Sequence, residues 1–185
     1  MTSATVQGNA RVFFALVPRA AVQNSLADLA RETARDARGR PVFAENMHVT
    51  LTFIGAWPVV RMPVLLDAAA TVRGEAMHIV LDRQGAFRRA GIAWIGPSQP
   101  AAALMQLAAA LTRALSAVGV ILDEQPYRPH VTLARHCRGP YPDGAAGPFG
   151  FDADHFVLMQ SQAGAEGARY KALATWPLGR MRHCR

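Results

Sequence analysis

The spacing of apolar residues changes period several times along this chain, and each change marks a predicted element. Residues 11–17 (Arg-Val-Phe-Phe-Ala-Leu-Val) are a nearly unbroken apolar run ending at Pro18, as expected of a buried strand. From Arg19 the spacing becomes helical. Val22, Leu26, Leu29 and Thr33 share one face, Arg31, Glu32, Arg35 and Asp36 lie mostly off it, and Gly39 is a natural stop. Residues 40–46 read as extended chain or loop. They feed a predicted strand over 48–54 that ends at Gly55. A second helix has Pro63 in its first turn, Leu65, Leu66, Ala69 and Val72 as its stripe and Gly74 as its end.

Residues 77–81 alternate as a strand. Residues 82–91 are polar, basic and hairpin-like, and 92–95 form a short strand containing Trp94. Ser98 is a candidate N-cap for a helix running to Gly119, with Leu104, Leu107, Leu111, Leu115 and Val118 on one side. Residues 120–122 read as a short extended piece, 123–129 as a loop and 130–135 as a strand. The stretch 139–148, rich in proline and glycine, reads as a surface loop. Residues 155–161 and 168–176 alternate like an antiparallel pair that turns near 164–167.

Two of these strands share a tetrapeptide. His48-Val49-Thr50-Leu51 returns as His130-Val131-Thr132-Leu133. In a strand, residues i and i+2 point the same way, so each copy shows histidine and threonine on one face and valine and leucine on the other. From Arg11 to His48 is 37 residues, and from Ile92 to His130 is 38. Each half reads strand, helix, loop, histidine strand, further strand. This pattern predicts an internal duplication, an α+β fold of two lobes and a cleft onto which both His/Thr faces open.

At 185 residues with 51% hydrophobic and 18% charged content, the chain is expected to form one globular domain over 11–178, with a disordered leader over 1–10 and a basic tail over 179–185. The net charge of +7 is almost all arginine, since Lys171 is the only lysine. Arginine grips phosphate with two parallel hydrogen bonds, so an anionic or nucleic-acid partner suits the composition, although genome composition alone also produces such a bias. Cys137 and Cys184 form no CxxC pair, and no apolar run is long enough to span a membrane. A reducing, cytoplasmic location is expected.

A single His-x-Thr on a strand is ordinarily a half-buried pair without chemistry; two copies in equivalent halves point to acid–base work. One neutral imidazole can accept a proton from a nucleophile while a protonated one donates to a leaving oxygen. Opposed histidines suit in-line displacement at phosphorus, and Thr50 and Thr132 can donate to phosphate oxygens. Arg135 is a further candidate, although strict alternation aims it away from Thr132 unless a bulge intervenes. His130, His136 and Cys137 match no usual zinc spacing, and no metal or other cofactor is expected. His78, His155 and His183 have no matched partners. Phe14, Trp94 and Tyr127 read first as core or rim aromatics that would also suit stacking on an RNA end. The chain has no phosphate-binding Gly-rich loop, nucleophile elbow or dinucleotide fingerprint.

With those flanks, the chain resembles the two-histidine (2H) phosphoesterases, and most closely the RNA 2′,3′-cyclic phosphodiesterases once called 2′-5′ RNA ligases. The resemblance rests on residues 11–15, on 45–51 with Phe53-Ile54-Gly55, on 127–135, and on Ser161, Gly167, Tyr170, Leu173 and Trp176-Pro177-Leu178. It covers about 11–178. It implies a bilobal LigT-like α+β fold built by duplication, with antiparallel sheets flanking a central cleft. It further implies metal-independent hydrolysis of a terminal 2′,3′-cyclic phosphate on RNA to a 2′-phosphomonoester. By motif position His48 is then the proton donor and His130 the acceptor, with Thr50 and Thr132 beside them. Arg135, Tyr127 and Phe14 are the expected substrate contacts. A monomer acting on RNA ends, with no membrane partner, completes the expectation. The competing readings are a 2H enzyme acting on a small cyclic nucleotide or a 2′-5′ linkage, and an RNA-binding module without turnover.

Overall fold

The computed structural model describes residues 8–122, 125–164 and 167–180. In chain order the elements are β1 (Asn9–Leu16), α1 (Ala20–Asp36), β2 (Arg40–Pro41), β3 (Val49–Pro58), α2 (Met62–Thr71), β4 (Met77–Phe87), β5 (Ile92–Gly96), α3 (Ala102–Ala117), β6 (Val131–Arg135), β7 (Gly144–Ala153), β8 (His155–Gly164) and β9 (Gly167–Pro177). The fold is mixed α+β around a large antiparallel sheet. β1 begins at Asn9, inside the segment expected to be a leader; residues 1–7 of that segment lie outside the described residues, as does the tail from 181 onward.

The strands run in the order β7-β4-β5-β6-β3-β1-β8-β9, and β2 pairs with β6 beside β3. The middle of this sheet is narrow. β3 and β6 share one registered pair, Val49↔Val131, and that pair divides the sheet into β3-β1-β8-β9 on one side and β6-β5-β4-β7 on the other. The two sides correspond strand for strand, which is the expected duplication. Their membership is less simple than two consecutive halves. β4 follows the first histidine strand in sequence but pairs with β5, while β8 and β9 close the chain and pair with β1 and with each other. The outer strands are thus exchanged, and neither half can complete its sheet alone.

All three helices pack on one face. Leu26 and Ala30 of α1, Leu65 and Ala69 of α2, and Leu104, Leu107, Leu111 and Leu115 of α3 join Val49, Leu51, Val131 and Leu133 in one buried cluster. The other face of the sheet carries a smaller cluster of Phe13, Ala15, Val157 and Met159.

Four segments depart from the sequence pattern. Residues 82–87 extend β4, and the 139–148 stretch, expected as loop, enters β7 at Gly144, the strand that pairs with β4 from Gln84 to Met77. The exposed edge of β4 needs hydrogen-bond partners, and this outweighs the turn preference of glycine and proline. Residues 120–122 form no strand. Ser98 does not cap α3: its N–H and hydroxyl donate to the Asp82 carboxylate, and the helix starts at Ala102, just past Pro100.

Candidate active site

Because Val49 faces Val131 across an antiparallel pair, the residues flanking them are also opposite each other. His48 lies across from Thr132, and Thr50 across from His130, all on the face away from the helices. Each histidine sits one residue ahead of its strand, where the preceding backbone curls back to hold it. His48 Nδ1 lies 2.6 Å from the Asn46 carbonyl oxygen and His130 Nδ1 lies 2.7 Å from that of Arg128. A carbonyl only accepts, so Nδ1 carries the proton in both rings and each Nε2 is left as the working atom. The Thr50 hydroxyl, 3.0 Å from His48 Nε2, donates to it when the imidazole is neutral.

The repeat also encodes its own bulge. Ala15 pairs with Thr50 and Phe14 with Thr52, leaving Leu51 extra; Trp94 pairs with Thr132 and Ala93 with Ala134, leaving Leu133 extra. Both leucines and the residues after them are buried, so the alternation slips by one in each copy. Arg135 therefore emerges on the face of Thr132, and Phe53 takes the matching place after Thr50. Strict alternation would have sent Arg135 to the core.

Burial is the main influence on both imidazoles. It drives His48 down to about 4, with Arg135 and His130 pushing the same way and the Asn46 carbonyl opposing. His130 is lowered too, first by burial and then by Arg135, against the pull of the Arg128 carbonyl. Both rings are thus neutral near pH 7 with the cleft empty of anion. An anion held between them favours the charged form and raises both.

Aromatic rings brace each histidine. Phe13 and Tyr170 lie 4.8 and 5.2 Å from His48 by ring centroid, and Phe87 and Trp94 lie 5.0 and 6.1 Å from His130. Trp94 lies so close over Gly85 that a Cβ there would meet the indole at 2.4 Å. A cavity of about 790 Å³ opens beside Thr50 and His130, walled by Phe53, Phe87, Tyr127 and Arg128 among others. Tyr127 donates its hydroxyl to the Thr50 carbonyl, 3.1 Å away, and burial raises its pKa, so it serves here as a neutral donor.

Phe14 is the correction. It is fully buried against Phe156 and Trp176 in the helix-side core, and its neighbour Phe13 meets His48 instead. Two adjacent phenylalanines leave the parity of β1 open in the sequence, and the pairing with β3 decides it. Sequence reasoning also missed the carbonyls of Asn46 and Arg128, although their common place two residues before each histidine was a visible signal. His78 and His155 pair with Asp152 and Asp154 at the surface. His183 and Cys184 lie outside the described residues. Cys137 is buried and His136 is exposed at the far end of β6. Among the described residues no group of three or more His, Cys, Asp or Glu is placed to hold a metal ion, and no helix is long and apolar enough to cross a membrane.

The family model of the 2′-5′ RNA ligase superfamily matches residues 18–164. The chain belongs to that superfamily. This is the superfamily of the two-histidine phosphoesterases. The RNA 2′,3′-cyclic phosphodiesterase of Escherichia coli K12 is 28% identical over 169 residues, covering 91% of this chain and 96% of that protein. A Geobacillus stearothermophilus protein of the same name is 31% identical over 149 residues, 74% of this chain and 47% of that one. The crystal structure of E. coli LigT complexed with 3′-AMP superposes with a TM-score of 0.85 at 28% identity, covering 92% of this chain and 98% of that one.

After burial, Arg135 is the charge that lowers both imidazoles. Its cation disfavours both imidazolium forms. Catalysis that needs one neutral and one protonated histidine then has its kcat/KM optimum on the acid side of the usual histidine value, near 6.5. Arg135→Gln removes a positive neighbour from both rings, so both limbs of the profile are expected to move to higher pH together. A kcat/KM–pH series at low ionic strength checks this. Unmoved or acid-shifted limbs would remove Arg135 from the electrostatics of the pair. The limbs are macroscopic values of the coupled pair and belong to neither ring alone.

Proposed function

We propose that the protein is an RNA 2′,3′-cyclic phosphodiesterase that opens a terminal cyclic phosphate to a 2′-phosphomonoester by two-histidine acid–base catalysis. The observation that carries this reading is the register at the centre of the sheet, where Val49↔Val131 sets two His/Thr pairs opposite one another on one face. The similarity to relatives of that name supports the substrate class.

The cyclic phosphate lies between the two Nε2 atoms. His130 Nε2 takes a proton from water as the water oxygen attacks phosphorus. The bond from phosphorus to the 3′-oxygen breaks, and His48 Nε2–H delivers its proton to that oxygen. A 3′-hydroxyl and a 2′-phosphate result. The low pKa of His48 makes its imidazolium a strong acid toward the departing alkoxide, and the bound phosphate favours the proton being there at the start. Thr50 and Thr132 donate to the non-bridging oxygens, and Arg135 neutralises their charge. Each proton transfer has its own histidine, so no metal is needed for either. One chain supplies both pairs, which is consistent with a monomer.

The ring opens in either direction with little intrinsic preference, so orientation selects the product. The cavity beside His130 and Thr50, with Tyr127 and Arg128 in its wall, has the asymmetry to hold the nucleoside one way round. The test is hydrolysis of a 2′,3′-cyclic-ended oligonucleotide in the presence of a chelator. The product is digested to nucleotides and its end group compared with authentic 2′- and 3′-monophosphates by phosphorus NMR. A 2′-phosphate formed at undiminished rate is expected. A 3′-phosphate would reverse the two histidine roles, abolition by chelator with recovery on adding a divalent ion would overturn the metal-free mechanism, and binding without turnover would leave an RNA-binding module.

A further inference from the structure

Beyond the catalytic face, β6 runs into a second basic site. Arg40 of β2 pairs directly with Arg135, so the two stand on the same face, and Arg135 emerges beside Thr132. Arg40 is also a wall of a separate cavity of about 380 Å³ formed by Arg38, Gly39, Arg40, His136 and Arg138. Three of its four side chains are guanidinium groups, the fourth is imidazole, and none is acidic.

The chain goes to some length to build this cavity. Arg38 and His136 both have left-handed backbones, with φ of 50° and 56°, a conformation that disfavours any residue with a Cβ. The two segments are stitched together behind them. The Arg138 and Gly139 amides donate to the Ala37 carbonyl at 2.9 and 2.8 Å, and the Cys137 amide donates to that of Gly91 at 3.0 Å. A Cβ on Gly39 would meet the Cys137 sulfur at 2.7 Å and the Arg135 carbonyl oxygen at 2.9 Å, so the two segments approach as closely as backbone allows.

The arginines are held together without countercharge. The arginine–carboxylate pairs among the described residues are Arg31–Asp28, Arg35–Asp36 and Arg83–Asp143; Arg38, Arg40, Arg135 and Arg138 have no acidic partner there. Clustered cations repel each other, and a site that keeps them on a fixed backbone suits an anion with several oxygens, for which guanidinium is the matched donor.

We propose that this cavity is a phosphate subsite for the RNA strand 5′ of the cyclic end, making Arg38, Arg40 and Arg138 determinants of substrate length. This rests on the function proposed above. A 2′,3′-cyclic phosphate is by its chemistry the last group of a strand, so every other phosphate of the substrate lies 5′ of it. From Thr132 to Arg135 is three residues of strand, roughly 10 Å at about 3.3 Å each, and Arg40 lies across from that point. An RNA with its cyclic end at the histidines therefore has a continuous basic path along β6 into the cavity, whereas a cyclic mononucleotide never reaches it.

The experiment compares uridine 2′,3′-cyclic phosphate with a 2′,3′-cyclic-ended uridine hexamer. It uses the wild type, the triple variant Arg38→Asn/Arg40→Gln/Arg138→Gln, and Arg138→Lys; asparagine at 38 tolerates the left-handed backbone. For the hexamer, KM is expected to rise about tenfold in the triple variant, with little change for the mononucleotide and near-wild-type behaviour in Arg138→Lys. The slope of log Kd against log salt for the hexamer should flatten by about 0.7 for each phosphate that is no longer neutralised. Equal losses on both substrates, or no loss on the hexamer, would overturn the subsite. A fall in thermal stability without any effect on the hexamer would leave these arginines only as partners of the α1 C-terminus. Anisotropy with a fluorescent hexamer bearing a 3′-phosphate, which needs no turnover, reads the subsite separately. Arginine-dependent binding there with no hydrolysis of either cyclic substrate would overturn the proposed activity and keep the subsite.

Discussion

Alanine at either His48 or His130 is expected to lower turnover of a 2′,3′-cyclic-ended oligonucleotide by about 10²–10⁴-fold, the usual loss for a positioned general acid or base. Each ring is fixed at Nδ1 by the carbonyl two residues earlier, which leaves its Nε2 free for the chemistry, and His78 and His155 are engaged with aspartates at the surface. The double variant should lose less than the product of the single losses. Both transfers belong to one reacting unit, and removing one partner already forfeits much of what the other contributes. The roles separate by chemistry. A cyclic substrate with sulfur in place of the 3′-oxygen has a leaving group that needs no proton, so it should restore much of the rate to His48→Ala and little to His130→Ala. Near-wild-type turnover in either single variant would sink the pairing, and rescue of the wrong variant would exchange donor and acceptor.

The second large effect concerns the hydroxyls. Thr50→Val and Thr132→Val are expected to reduce kcat by about 10²-fold each, the scale for losing one preorganised donor to a developing oxyanion, with a smaller change in KM. Valine keeps the β-branched shape that the strand prefers, so a fall in kcat reports the hydroxyl. The two sites differ before substrate arrives. The Thr50 hydroxyl is engaged with His48 Nε2, while that of Thr132 has no hydrogen-bond partner among the described residues. In the proposed mechanism Thr50 turns from the imidazole to the phosphate as charge builds there. Thr50→Val also removes a donor that favours neutral His48, so the kcat/KM–pH profile of the coupled pair should move slightly upward, whereas Thr132→Val should leave it in place. If both variants changed KM alone, the threonines would be ground-state binders.

The candidate site is legible in the chain alone. Two His-Val-Thr-Leu tetrapeptides in matching contexts fix, through the two-residue period of a strand, which side chains share a face, and that rule is local enough to read without a structure. The helix stripes of α1 and α3 and the β8–β9 pair are legible for the same reason: each is a periodicity within a few turns or one hairpin. Everything that depends on pairing between distant segments had to wait for the folded molecule. That His48 meets Thr132 and Thr50 meets His130 follows from one contact between residues 82 positions apart, Val49 and Val131. The exchange of β4 with β8 and β9 between the two sides, the recruitment of 144–153 as a strand and the choice of Phe13 over Phe14 depend on which edge finds which partner. Arg135 shows the division best. Its charge and nearness to the motif are plain in the sequence, but a single unpaired leucine in a ladder with β5 turns it toward the face of Thr132, because one extra residue shifts every later side chain to the opposite face.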